Sequence, residues 1–162
     1  MTDIVTPGRR SEIMGRIRGV NTAPELRVRS LLHRAGYRYR LHVDSLPGRP
    51  DIVLPKYRAI VRVQGCFWHR HAGCVLAYEP KSRVDFWRTK FEANCARDLA
   101  QREKLEAAGW QVIDVWECET RDMAVLVDVL AERMPTNPRK PECLAICAGG
   151  APPFKGGGQA TS

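Results

Sequence analysis

Val28, Leu31, Leu32 and Ala35 recur at three- and four-residue spacings while Arg27, Arg29 and Arg34 fall between them, which predicts an amphipathic helix. Its start is marked by Thr22-Ala23-Pro24-Glu25, where Thr22 caps the first turn, Pro24 suits it and Glu25 can reach back to the cap. Gly36 marks its end. Upstream, Ile13, Met14 and Ile17 follow Ser11 at helical spacing and predict a short helix with Arg16 and Arg18 on its other face, preceded by Arg9 and Arg10. Such a helix is either a phosphate-contacting arm or an ordinary solvated N-terminus.

Beyond Gly36 the period changes to two. Tyr37–Leu41 alternates as a strand, Pro47-Gly48-Arg49-Pro50 turns the chain, and Asp51–Leu54 and Ala59–Gln64 read as two further strands joined by the turn Pro55–Arg58. Pairing the last two as a hairpin would bring Asp51 close to Val63 and Gln64. From Ser82 to Ala108 the helical period returns through Val84, Trp87, Phe91, Leu99 and Leu105, with a break or bend expected inside it. A buried strand, Trp110–Trp116, and a last helix, Met123–Met134, complete the pattern. This order predicts an α/β fold with a central mixed sheet flanked by helices. Residues 135–162 are rich in Pro, Gly and Ala without sustained period, the signature of a disordered tail. The expected organisation is a single domain over residues 1–134, opening with a basic arm over residues 1–19, followed by that tail.

Composition narrows the function. The 162 residues are 44% hydrophobic, enough for one core, and no apolar run approaches the ~20 residues of a membrane span. With no signal-peptide pattern at the N-terminus, a cytoplasmic protein with no membrane partner is expected. The net charge of +8, from 26 Lys and Arg against 18 Asp and Glu, points to a polyanion such as nucleic acid. In a reducing compartment six cysteines favour metal ligation or burial over disulfides.

Chemistry concentrates in Gly65-Cys66-Phe67-Trp68-His69-Arg70-His71-Ala72-Gly73-Cys74. Cys66, His71 and Cys74 suit a tetrahedral Zn²⁺ site, with Cys118 as the fourth ligand from far along the chain. Either of His69 and His71 could serve the metal by spacing, and the other would be free for acid/base work. Asp51 offers an oxygen to Mg²⁺, with the backbone carbonyl of Val63 as a second, and two such ions could clamp a phosphodiester. Phe67, Trp68 and Trp87 are either core or wedges that stack on bases. Cys143 and Cys147 read as free thiols.

Ser45-Leu46-Pro47-Gly48-Arg49-Pro50-Asp51, Gly65-Cys66-Phe67-Trp68-His69, Phe86-Trp87, Asn94, Arg97-Asp98, Gly109-Trp110 and Val115-Trp116-Glu117-Cys118 occur in an order that closely resembles the very-short-patch repair (Vsr) mismatch endonucleases. The resemblance covers roughly residues 9 to 133. It implies a restriction-endonuclease-like fold with a structural zinc, and a Mg²⁺-dependent nick 5′ of the thymine in T:G mismatches left by 5-methylcytosine deamination. It further implies Asp51 and the Val63 carbonyl as Mg²⁺ ligands, His69 as the acid/base group and Glu25 as a helper acting through metal-bound water. Cys66, His71, Cys74 and Cys118 become the zinc ligands, Phe67, Trp68 and Trp87 the wedge, and Arg9, Arg10, Arg16 and Arg18 part of a DNA clamp. Family members can carry threonine and histidine at the positions of Val63 and Gln64, so a side-chain role for Gln64 is open while a backbone carbonyl survives the change. The implied partners are double-stranded DNA, mismatch-repair proteins or a DNA polymerase, and a functionally associated cytosine-5 methyltransferase, with the enzyme acting as a monomer at the nucleoid. A restriction enzyme that cuts both strands and a non-catalytic zinc-stabilised DNA-binding module are the rival readings.

Overall fold

In the computed structural model, which describes Gly8 and residues 19–137, the first helix, α1, spans Ala23–Arg34. Thr22 caps it, and the chain leaves it through Gly36 at φ 85°, a left-handed geometry that glycine adopts without strain. The basic helix expected around Arg9, Arg10, Arg16 and Arg18 lies outside the described residues, as do Cys143 and Cys147. Four strands follow: β1 (Arg40–Leu41), β2 (Ile52–Leu54), β3 (Ala59–Gln64) and β4 (Gln111–Trp116). Between β3 and β4 runs the long helix α2 (Val84–Ala107), and α3 (Met123–Arg133) follows β4 after a 3₁₀ turn at Glu117–Thr120.

The strands form one mixed sheet in the order β1-β2-β3-β4, antiparallel between the first three and parallel between β3 and β4. A parallel pair needs a crossover, and α2 supplies it. Period-two alternation sends β3 to both faces of the sheet. Ala59, Val61 and Val63 pack with Val28, Leu31 and Leu32 of α1 and Leu126, Val127 and Leu130 of α3. Ile60 turns the other way, with Val53, Val112 and Leu105 of α2. The sheet is therefore sandwiched between α1 and α3 on one side and α2 on the other.

Three features differ from the sequence reading. The strand expected over Tyr37–Leu41 contracts to β1, because Tyr37 and Tyr39 instead send their hydroxyls to the carbonyls of Pro135 and Arg29, at 2.7 and 3.1 Å. α2 runs unbroken for 24 residues, consistent with its having no Pro or Gly to kink it. Only Phe91 and Leu105 of its apolar positions are buried, while Leu99 is 58% exposed, so polar contacts hold its middle turns. Residues 135–137, which composition assigns to the tail, lie against α1: Asn137 is buried and its amide donates to the Ala35 carbonyl at 3.4 Å. Among the described residues no helix is long and apolar enough to cross a membrane.

Candidate active site and metal centre

The β2–β3 hairpin makes the first connection. Ile52 pairs with Val61, so Val63 continues past the start of β2 and meets the Asp51 side chain, which accepts the Val63 N–H at 2.9 Å. The N–H and C=O of a strand residue point to the same edge, so the Val63 carbonyl faces Asp51 as well. Burial pushes the Asp51 carboxyl above its usual range, the Val63 N–H works against that shift, and the neighbouring Glu25 charge adds to it.

Glu25 arrives from the first turn of α1. Its carboxylate accepts the Asn21 N–H at 3.0 Å, the Thr22 hydroxyl at 2.9 Å and the Arg29 guanidinium at 2.7 Å. Both Glu25 and Arg29 are buried, and Arg29 Nη2 also lies 3.0 Å from His42 Nε2. The helix cap and the ion pair therefore occupy Glu25 even though it lines the same cleft as Asp51. That cleft, of about 250 Å³, is also lined by Arg49, Arg62, Val63, Gln64, His69, Arg97 and Asp98.

His69 enters from the turn after β3, where its N–H donates to the Gly65 carbonyl at 3.1 Å. Its Nδ1 is hydrogen-bonded to the Asp98 carboxylate from α2. A carboxylate on Nδ1 fixes the ring and leaves Nε2 as the nitrogen free for proton transfer. Successive turns of α2 hold the same loop, with Asn94 donating to the Trp68 carbonyl at 3.2 Å and the Cys95 thiol 3.9 Å from the His69 carbonyl.

The two histidines separate, His69 to Asp98 and His71 to the cysteines. His71 turns away from the cleft to a group of four donors, Cys66, His71, Cys74 and Cys118, whose ligand atoms all lie within 4.8 Å of one another. A tetrahedral ion with bonds of about 2.3 Å sets its donors ~3.8 Å apart, so these side chains fit one zinc-sized ion with little movement. Burial pushes the Cys66 thiol up to about 12 and also raises Cys118, whereas hydrogen bonding from the Leu76 backbone lowers Cys74. A cation would overcome that resistance to ionisation. His71 stacks on Trp116, with centroids 4.2 Å apart and planes at 7°, and the Cys118 N–H donates to Cys66 Sγ at 3.4 Å. Cys118 itself sits in the 3₁₀ turn after β4, so the group ties the ends of β3 and β4 together.

Beside the cleft, Phe67 meets Trp68, Trp87 and Phe91 with centroids 5.2, 5.4 and 5.1 Å away, each nearly edge-on. Phe91 is the buried base, and Arg70 lies over its ring at 4.5 Å. Phe67, Trp68 and Trp87 remain partly exposed, so the cluster is a preformed aromatic platform and not a closed core.

Asp51, Val63, Gln64, His69 and Glu25 thus line one cleft, the four soft ligands form a separate group behind it, and the three aromatics pack together. Sequence reading assigned no role to Asp98, Arg62 or Phe91. The signal available was the spacing of Asn94, Asp98 and Arg102, which lies on one face of α2.

Comparison with known proteins places the chain in a family. The family model for DNA mismatch endonuclease Vsr matches residues 2–75. The chain is 52% identical over 126 residues to the Type II nicking enzyme V.XorIIP of Xanthomonas oryzae pv. oryzae, covering 78% of this chain and 92% of that relative. It is 45% identical to the Type II nicking enzyme V.NmeAIP of Neisseria meningitidis (77% and 89% covered) and 41% identical to the DNA mismatch endonuclease Vsr of Escherichia coli (83% and 86%). The chain belongs to the DNA mismatch endonuclease Vsr family and is an endonuclease that acts on DNA.

Proposed function

We propose that this protein nicks one strand of duplex DNA 5′ of the thymine in a T:G mismatch, using Mg²⁺ at Asp51 and a structural Zn²⁺ behind the loop that carries His69. The observation that carries the reading is the convergence of Asp51, the Val63 carbonyl and the His69–Asp98 pair on one cleft beside an aromatic platform. Asp51 and the Val63 carbonyl present oxygen donors of the kind Mg²⁺ takes, and the raised carboxyl beside Glu25 is a site where a cation relieves repulsion. A Mg²⁺ ion there, or a pair, would supply Lewis-acid stabilisation of charge on the phosphate.

The protein's own groups then divide the work. Asp98 holds Nδ1, and Nε2 of His69 takes the proton from a water as its oxygen bonds to phosphorus and the bridging oxygen departs. Glu25, tied to Thr22 and Arg29, supports the acidic wall of the cleft, and Arg49 and Arg97 offset the charge of the backbone. Phe67 and Trp68, braced by Trp87 and Phe91, stack where pairing is already weakened, because unstacking costs least at a mismatch. Cys66, His71, Cys74 and Cys118 hold the zinc and keep the His69 loop in place. Bound DNA, a cytoplasmic monomer, and functional association with a cytosine-5 methyltransferase and with mismatch-repair proteins or a DNA polymerase belong to this reading.

The test is a duplex with a single T:G pair, its two strands labelled separately, incubated with Mg²⁺ or chelator. A single Mg²⁺-dependent nick next to the thymine is expected, with matched duplex intact. Cleavage of both strands of matched duplex would favour a restriction enzyme instead. Binding without any cut would indicate a DNA-binding module.

A further inference from the structure

On the face of the sheet that meets α2, the row Ile60 and Val112 is apolar and the row Gln64 and Trp116 borders the site. Between them Arg62 of β3 stands opposite Asp114 of β4 in the parallel register. Their ion pair is bidentate, with Arg62 Nε and Nη2 at 2.7 and 3.0 Å from the two carboxylate oxygens, and the side chains are 11% and 20% exposed. The third guanidinium nitrogen, Nη1, donates to the backbone carbonyl of Asp98 at 3.1 Å. One turn further along α2, Arg102 donates to Asp114 at 2.7 Å and to the Val112 carbonyl at 3.1 Å. Arg62 and Asp114 thus grip α2 at the residue whose carboxylate holds His69, and at the next turn.

We propose that Arg62 is a positioning residue for the nicking reaction: its fork, fixed by Asp114, sets where α2 presents the Asp98 carboxylate to His69. A largely buried ion pair is weak evidence for stability alone, since replacing it by apolar residues is often neutral or stabilising. A guanidinium serves here because its planar donors can satisfy a carboxylate and a carbonyl at once, which an ammonium cannot do with fixed geometry. The inference rests on the reading of His69 and Asp98 as the proton-transfer pair.

The experiment uses the full chain, the T:G duplex and Mg²⁺, and compares kcat with KM for Arg62→Leu combined with Asp114→Leu, in the parent and in an Asp98→Asn background. Arg102 can then turn to solvent and to Glu106, which it already contacts at 2.8 Å. With Asp98 intact, kcat is expected to fall about tenfold to a hundredfold, the scale of a displacement of about 1 Å, while KM and the melting temperature change little. In the Asp98→Asn background the same double substitution should change kcat by less than about twofold, because the pathway it acts through is gone. Should the double variant fold poorly, Arg62→Lys, which keeps the charge and loses the fork, is expected to lower kcat with KM unchanged. Unchanged kcat in a folded variant, or a full additional loss on top of Asp98→Asn, would overturn the proposal. His69→Ala is run alongside: if it nicks like the parent, the proton-transfer reading and this inference fall together, whereas a slow His69→Ala with a fast Arg62 variant removes the inference alone.

Discussion

Cys118→Ala separates a long-range metal clip from a local one. Three of the four soft ligands lie in the loop after β3, and Cys118 is 52 residues from Cys66, beyond the whole of α2 and β4. A cross-link of that span removes about 4 kcal/mol of conformational freedom from the unfolded chain, on the loop-closure relation used for disulfides. Metal clips that close long loops act on the same entropy. For a chain of this size that is a fall of roughly 8–16 °C in melting temperature. Cys74→Ala also removes a ligand but leaves Cys66, His71 and Cys118 to span the same gap, so its shift is expected to be clearly smaller. The assay is thermal melting by circular dichroism in zinc-equilibrated buffer, with zinc per chain measured by elemental analysis. A chelator should bring the parent down towards both variants. If Cys118→Ala and Cys74→Ala melt alike, or if Cys118→Ala keeps full zinc at the parent's melting temperature, the clip between β3 and β4 is refuted.

Asp51→Asn tests whether the cleft sacrifices stability for function. Burial raises the folded-state pKa of Asp51, so its contribution to stability is full below the ordinary value of 3.8 and is lost as pH rises through the folded value. In metal-free buffer at neutral pH the Asn variant should therefore melt above the parent, with the gap narrowing as pH falls; equal melting throughout would contradict this. Glu25→Ala leaves Arg29 buried without its carboxylate, with an Nε that already has no partner among the described residues, and should cost about 3–5 kcal/mol in a urea titration. Normal stability in that variant would show that Glu25 is not held by the pair. Phe91→Ala removes the buried base of the platform and should cost about 3–5 kcal/mol while weakening discrimination between T:G and matched duplex. Loss of stability with unaltered discrimination would detach the platform from mismatch recognition.

Local periodicity made α1, β2, β3, β4 and α3 legible in the sequence, since each presents an apolar face to the two clusters that flank the sheet. α2 was less legible because its apolar residues do not make one stripe: Phe91 packs under the platform, Leu105 under the sheet, and the turns between are held by Asn94, Asp98 and Arg102. Polar contacts of that kind have no period. The loop chemistry was legible as a set of ligands, and the division between His69 and His71 needed distant residues, since Asp98 of α2 holds His69 while Cys118 meets His71. Glu25 shows the same limit in reverse, since its capping motif and its four-residue spacing from Arg29 lie within one helix, while its place in the cleft beside Asp51 depends on tertiary packing.

The most direct test compares Asp51→Ala with the parent on a T:G duplex in Mg²⁺, measuring binding and nicking on the same samples. Binding within about threefold of the parent with no detectable nick is the expected result, because Asp51 accepts the Val63 N–H and, in the proposed mechanism, would hold the cation while other groups hold the duplex. Nicking at the parent's rate would contradict the assignment of this cleft as the place where the strand is cut.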